Sequence, residues 1–228
     1  GGTMDVNVSF PVDNGENVTG RGLGKEVTYT PDAAAGTLVT AGRMQDNQLK
    51  MNSVLKAETK DGSIAVGNDS ESLDINGATE IIFYVSADTD YKNEYPEYRT
   101  KETDEELAAS VANVVAKASQ KGFGAVKESH LKDYQKLFDR VTLDLGQAAS
   151  DKTTDMLLAA YKNNSASDSE KRLLEVILYQ YGRYMTIASS RAGDLPSNLQ
   201  GVWQNRVGDH NRVPWGSDYH MNVNLQMN

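Results

Sequence analysis

Residues 191–228 concentrate side chains that could bind or transform a polar ligand. Both tryptophans of the chain, Trp203 and Trp215, lie here, as do two of its three histidines, His210 and His220. Aromatic rings cover the C–H faces of sugars, while amide, carboxylate and imidazole groups form hydrogen bonds with hydroxyls. The segment therefore predicts a site for a neutral, polyhydroxylated ligand. The same tryptophans would also suit a packed core in which both indole N–H groups find acceptors, and composition alone does not separate the two readings.

The last eight residues alternate between apolar and amide side chains. The apolar set is Met221, Val223, Leu225 and Met227, and the amide set is Asn222, Asn224, Gln226 and Asn228. If this stretch is extended, the amides share one face, since side chains alternate along a strand. Buried amides without partners are costly, so that face should meet water, a polar ligand or a hydrogen-bond network. In a helix the alternation would lose this meaning.

The first 90 residues have the pattern of antiparallel strands. Short apolar runs at 6–10, 38–40, 64–66 and 81–85, and an ambiguous one at 49–57, are separated by turn signals such as Asp61-Gly62 and Asn76-Gly77. Such runs between Gly, Asn and Asp are typical of strands. Several strands at short spacing favour a β-sandwich over a parallel α/β sheet.

The pattern becomes helical after a polar connection at 88–102. Thr103 with Glu106, and Ser167 with Glu170, form two capping boxes, which mark helix starts. Apolar residues then recur at helical spacing, and we expect helices at about 103–121, 124–139, 154–162 and 167–189. A short strand is expected at 142–145.

Composition excludes several classes of function. The chain has 228 residues, no Cys and a net charge of −9. Without cysteine there are no disulfides, thiol catalysis or cysteine metal sites, and no spacing of His and carboxylates indicates a metal. The negative charge disfavours nucleic acid and anionic membranes as partners, and no apolar run approaches the length of a membrane span. The sequence leaves the oligomeric state open.

Four stretches together resemble the glycoside hydrolase family 95 α-L-fucosidases. The most specific are LPSNLQGVW at 195–203 and PWGSDYHMNVNLQMN at 214–228. Residues 130–141 and 179–191 are also similar to that family. The resemblance extends from about residue 75 to the end of the chain.

The resemblance implies a mixed architecture of β followed by α. Residues 1–90 would form the later part of a β-sandwich, 91–150 a helical linker, and 151–228 the first helices of an (α/α)6 catalytic barrel. The chain would thus be an N-terminal fragment of a longer enzyme.

The resemblance also implies an activity: hydrolysis of terminal α-1,2-linked L-fucose from glycans, with inversion and without metal or cofactor. Asn222 and Asn224 match the pair that holds the attacking water, and His220 matches a residue that contacts the sugar. We expect Trp203 and Trp215 to bind substrate. The general acid, a Glu, and an Asp that assists the two asparagines would come from later segments, so the fragment alone should be inactive.

The sequence leaves two alternatives to an α-L-fucosidase fragment open. The chain could be a non-catalytic carbohydrate-binding fragment, because sandwiches often bind glycans. It could instead come from a related inverting enzyme, such as an α-L-galactosidase, whose substrate differs from a fucoside by one hydroxyl. We expect a secreted, periplasmic or cell-surface bacterial protein, although the first residues lack the features of a signal peptide.

Overall fold

A computed structural model describes residues 2–10, 24–193, 195–197 and 222–227. The described residues fall into two compact units, one up to Lys127 and one from Glu128 onward. They are called the first and second unit below. The predicted division of the chain at 90 and 150 stays a prediction.

The first unit contains two antiparallel sheets. The strands are β1 (Met4–Val8), β2 (Lys25–Asp32), β3 (Thr37–Met44), β4 (Lys50–Lys60), β5 (Ser63–Val66), β6 (Leu73–Ala78) and β7 (Glu80–Thr89). Sheet A has the order β1-β6-β5 and sheet B the order β2-β3-β4-β7. This arrangement, followed by helices, confirms the expected mixed fold with a partial β-sandwich.

The core between the two sheets is apolar. Leu38 and Leu55 from sheet B pack with Leu73 and Ile75 from sheet A, and all four are at most 5% exposed. The chain passes between the sheets at Asp61-Gly62, where both residues have positive φ, 59° and 73°. A Cβ on Gly62 would lie 2.3 Å from the carbonyl oxygen of Asn76, so only glycine fits this corner.

Helix α1 (Asp104–Lys121) covers the other face of sheet B. Its capping box forms as predicted: Glu106 N donates to Thr103 Oγ1 at 3.2 Å, and Thr103 N donates to Glu106 Oε2 at 2.8 Å. Leu107, Val111 and Val115 recur every four residues and pack with Val54 and Tyr84 in a second buried cluster. This spacing places them on one helix face, so α1 is part of the core of the first unit.

A polar network fixes the C-terminal half of α1 to sheet B. The Ser119 hydroxyl donates to Glu58 Oε1 at 2.5 Å and accepts from Lys56 Nζ at 2.6 Å. The hydrogen bond from Ser119, with a further contribution from Lys56, holds the pKa of the Glu58 carboxyl below its ordinary value.

Four further helices follow in the part of the chain that the structure describes. They are α2 (Phe123–Phe138), within which the division between the units falls, and α3 (Thr154–Lys162), α4 (Asp168–Ser189) and α5 (Val223–Met227). The capping box at Ser167 and Glu170 starts α4 as predicted. The expected strand at 142–145 is wrong: this stretch is irregular, and a turn in which Gly146 N donates to Asp144 Oδ1 at 2.7 Å follows it.

The apolar residues of α4 are largely exposed. None of its 22 residues is buried, and Leu178 and Tyr181 are 70% and 58% exposed. Among the helices that the structure describes, none combines the length and apolarity needed to cross a membrane.

Candidate active site

Asn222 and Asn224 lie together at the start of α5. Asn222 Oδ1 accepts two hydrogen bonds from Asn224, one from its backbone N at 3.1 Å and one from its side-chain Nδ2 at 2.8 Å. The first bond is the usual contact of an Asn at the N-cap position, whose side chain accepts from the second residue of the helix. The two amides predicted to share a function are therefore in direct contact.

The extended reading of 221–228 is wrong for the residues described. Val223–Met227 is a short helix, in which residues two apart point about 200° away from each other. The amides still meet because Asn222 precedes the helix and its side chain folds back over the first turn. In this helix the alternation has no bearing on the contact, and the role predicted for the two amides stays a prediction.

The contact gives the two amide oxygens different hydrogen-bonding roles. Asn222 Oδ1 already accepts two bonds, which fills its lone pairs. Within the described residues, no group bonds to Asn224 Oδ1, so this oxygen is the acceptor left for a water or a hydroxyl. Because Asn224 donates through Nδ2 in the same amide, its oxygen becomes a somewhat stronger acceptor, as in other hydrogen-bond chains.

The other three predicted site residues cannot be placed. His220, Trp215 and Trp203 lie outside the described residues, and so does most of the segment that carries the strongest resemblance.

Arg183 on α4 binds the C-terminal end of α2. Its Nη2 donates to the carbonyl of Phe138 at 2.8 Å, and its Nη1 donates to the carbonyl of Val141 at 2.9 Å and to Gln180 Oε1 at 2.8 Å. The guanidinium also lies 4.8 Å from the centre of the Phe138 ring. The last carbonyls of a helix lack hydrogen-bond donors within it, and the Arg183 guanidinium supplies donors to those at the end of α2.

An ion pair joins the segment after α4 to the same helix. Arg191 Nη2 donates to Asp133 Oδ2 at 2.8 Å. Nearby, Ser190 Oγ donates to the carbonyl of Leu195 at 3.2 Å. These contacts connect the stretches 130–141 and 179–191, which sequence analysis had linked only through resemblance.

An aromatic cluster accompanies these contacts. Tyr134 packs against Phe138 with ring centroids 5.1 Å apart and meets the Tyr184 ring edge at 6.0 Å. Partial burial, reinforced by the neighbouring Tyr184, raises the pKa of the Tyr134 hydroxyl. The exposed His130 ring stacks on Tyr134, with ring centroids 6.1 Å apart.

Two carboxylates of the second unit have lowered pKa values, which do not suit a general acid. Lys152 Nζ lies 2.7 Å from Glu170 Oε1, and Ser167 N donates to Glu170 Oε2 at 2.9 Å. The hydrogen bond from Lys152, followed by that from Ser167, lowers the pKa of Glu170 to about 2. The hydrogen bond from Thr153 likewise lowers the pKa of Asp155. A general acid near neutral pH needs a raised pKa, so both carboxylates are structural.

Across the described residues, no group of three or more His, Asp or Glu side chains is placed to hold a metal ion. Sequence reasoning overlooked Arg183, because its partners are backbone carbonyls more than 40 positions away. No local pattern announces such a contact.

The family model for the glycosyl hydrolase family 95 catalytic domain matches residues 122–228. The match includes α2 to α5 and both asparagines of the candidate site. This segment of the chain thus belongs to glycosyl hydrolase family 95.

Three curated relatives are similar over most of this chain. They are a probable alpha-fucosidase A of Aspergillus niger (37% identical over 158 residues, 67% of this chain), alpha-L-fucosidase 2 of Arabidopsis thaliana (28% over 184 residues, 79%) and a probable alpha-fucosidase A of Aspergillus oryzae (30% over 159 residues, 69%). The matched parts are only 18%, 21% and 21% of the relatives' own lengths. The chain therefore spans about a fifth of each relative. These relatives are fungal and plant proteins, and they lend no support to the bacterial source that we expected.

Proposed function

We propose that the chain is part of an inverting α-L-fucosidase that removes terminal α-1,2-linked L-fucose from glycans. The observation that carries the proposal is the match of residues 122–228 to the family 95 catalytic domain, since these residues include the paired amides. The relatives' names, all of them fucosidases, favour fucose over galactose as the sugar.

In this proposal Asn222 and Asn224 hold the water that attacks the sugar. Asn224 Oδ1 accepts a hydrogen bond from the water, while the bond from Asn224 Nδ2 to Asn222 Oδ1 fixes the direction of the amide. An amide has no useful basicity, so its contribution is positioning rather than proton removal. A carboxylate elsewhere in the enzyme takes the proton, and an acid on the opposite face of the sugar protonates the leaving oxygen.

This division of roles predicts different effects for the two asparagines. In the longer enzyme, Asn224→Ala removes the acceptor and should lower kcat by about 100- to 1000-fold, by analogy with the loss of one transition-state hydrogen bond. Asn222→Asp keeps an acceptor for Asn224 Nδ2 and should retain more activity than Asn222→Ala. Initial rates on 2′-fucosyllactose give kcat and KM for each variant. A raised KM with unchanged kcat for all three variants would show that the asparagines only bind substrate.

The 228-residue chain alone should hydrolyse no fucoside. The resemblance implies a general acid in a later segment, and the lowered pKa values of Glu170 and Asp155 argue against that role for these two carboxylates. The exposed apolar residues of α4, such as Leu178 and Tyr181, also favour association of the isolated chain. Release of 4-nitrophenol from 4-nitrophenyl α-L-fucoside by the purified chain would contradict this expectation.

We further propose that the protein acts outside the cytoplasm, where fucosylated glycans occur. Fractionation of the source cells, with fucosidase activity assayed in medium, envelope and cytoplasm, tests this location.

A further inference from the structure

A cavity of about 410 Å³ lies in the first unit, where the N-terminal end of α1 meets sheet B. Its lining includes Glu26, Thr28, Arg43, Lys50, Asn52 and Leu107. This volume is within the range of about 300–1,000 Å³ found for small-molecule sites.

Asn52 is the most informative residue of this cavity. It is only 5% exposed, and among the described residues its Oδ1 has no hydrogen-bond partner. Asn52 pairs with Ala41 across the β3–β4 ladder, and both line the cavity. A buried carbonyl oxygen without a donor costs about 1–3 kcal/mol. A ligand that brings a hydroxyl or N–H donor into the cavity would remove this cost.

The charges of the cavity point to a neutral ligand. Arg43 forms an ion pair with Asp104, and Lys50 Nζ lies 3.0 Å from Asp104 Oδ1 and donates to the carbonyl of Glu102 at 2.8 Å. The hydrogen bond from Lys50, with the positive charge of Arg43, lowers the pKa of the Asp104 carboxyl. Both cations are therefore engaged. The carboxylate of Glu26 is exposed and forms no ion pair within the described residues, which leaves it as a second acceptor.

We propose that this cavity binds a neutral polyhydroxylated ligand, a sugar residue, by accepting hydroxyl hydrogens at Asn52 Oδ1 and at the Glu26 carboxylate. Two cations balance two carboxylates in the lining, so neither a phosphate nor an amine gains a net opposite charge there. Leu107 supplies an apolar wall for the C–H face of the ring. The inference goes beyond the proposed function, and neither Asn222 nor Asn224 takes part.

The test is an NMR titration of the ¹⁵N-labelled 228-residue chain. The probes are methyl α-L-fucopyranoside and methyl β-D-galactopyranoside, with sulfate and putrescine as charged controls. The expected result is a saturable shift of the Asn52 side-chain amide and of backbone amides at 41–43 and 50–52, with at least one of the two sugars. No saturable shift with either sugar, or tighter binding of sulfate or putrescine, would overturn the proposal.

Two variants identify the groups that bind. Asn52→Leu removes the acceptor and should weaken sugar binding about tenfold. Glu26→Gln changes an exposed residue, so the fold should persist, and it should weaken binding about fivefold. Wild-type affinity in both variants would refute the assignment.

Thr40→Val is the matched control. Thr40 is also 5% exposed, and its Oγ1 also lacks a partner among the described residues. It neighbours Ala41 on β3 and therefore points to the opposite face of sheet B, away from the cavity. Its variant should bind sugar with unchanged affinity, and a loss equal to that of Asn52→Leu would show that the effect comes from the sheet and not from the cavity.

Discussion

Arg183 offers a direct test of how the second unit is held together. Its guanidinium donates to the carbonyls of Phe138 and Val141, and it covers the Phe138 ring. Arg183→Ala removes all of these contacts at once. Arg183→Lys keeps the charge, but an ammonium cannot reproduce the planar fork that reaches two carbonyls.

The expected cost follows from the bonds lost. A hydrogen bond from a charged donor contributes about 1.5–3 kcal/mol when well placed. Arg183 is only partly buried, so water replaces some of the loss. We expect Arg183→Ala to lower the free energy of local opening by about 2 kcal/mol and Arg183→Lys by about half of this. A loss of 2 kcal/mol corresponds to roughly 30-fold faster exchange of the amides involved.

Native-state hydrogen exchange resolves this effect, because it reports opening of each segment separately. The informative amides are those of 134–140 and 180–186. Arg172→Ala is the control, because Arg172 lies on the same helix, is exposed, and its side chain forms no hydrogen bond or ion pair within the described residues. If Arg183→Ala and Arg172→Ala change exchange at these amides equally, the contacts of Arg183 do not stabilise the end of α2.

Three further predictions concern stability. Leu107→Ala should lower the free energy of unfolding by about 2–5 kcal/mol, because Leu107 is 2% exposed in the cluster between α1 and sheet B. Val114→Ala, on the exposed face of α1, should change it little, and hydrogen exchange of the β4 amides measures both variants. The pKa of Glu170 lies at about 2, below its ordinary 4.5, so its stabilising contribution is complete above pH 4.5 and is lost as pH falls towards 2. Glu170→Gln keeps the capping geometry and should therefore reduce the pH dependence of amide exchange in α4 between about pH 5 and pH 2, the range around the two pKa values. An unchanged pH dependence of α4 exchange in this variant would refute the prediction. Gly62→Ala should destabilise the first unit by about 1–3 kcal/mol, whereas Gly124→Ala, with open space around it in α2, should stabilise slightly; equal melting temperatures for the two would contradict the strain at the corner.

The sequence predicts the helices better than the strands. Capping boxes at Thr103 and Ser167 locate two helix starts, because the interactions that define them lie within four residues. The strands β2 and β6 were not anticipated. β2 contains Pro31, which argues against a strand, but β2 is at the edge of sheet B, where a residue without an N–H is tolerated. An edge position depends on the pairing of distant strands, which no local pattern contains.

The residues of the candidate site stay a prediction from the sequence, and the contact between two of them could not be predicted. The motif around Asn222 and Asn224 predicts that the two act together, yet their contact at 2.8 Å depends on a helix start that the alternating pattern does not indicate. Asn52 could also have been singled out as an unusual position, because it is an amide on the same face of β4 as the buried Val54. Its importance emerges only when β3 and α1 close around it, and these contacts join residues far apart in the chain.

The packing of α1 on sheet B determines where the chain can be cut. A piece that stops at residue 90 would expose the apolar face formed by Val54 and Tyr84, which Leu107, Val111 and Val115 otherwise cover. That exposed apolar face would favour association between copies of the shortened chain. A piece that extends to Gly122 keeps both apolar clusters and the bond from Gly122 N to the carbonyl of Ala118 that ends the helix. The β-sandwich and its helix should accordingly be expressed, crystallised or fused to other proteins as one module, with the join placed after α1.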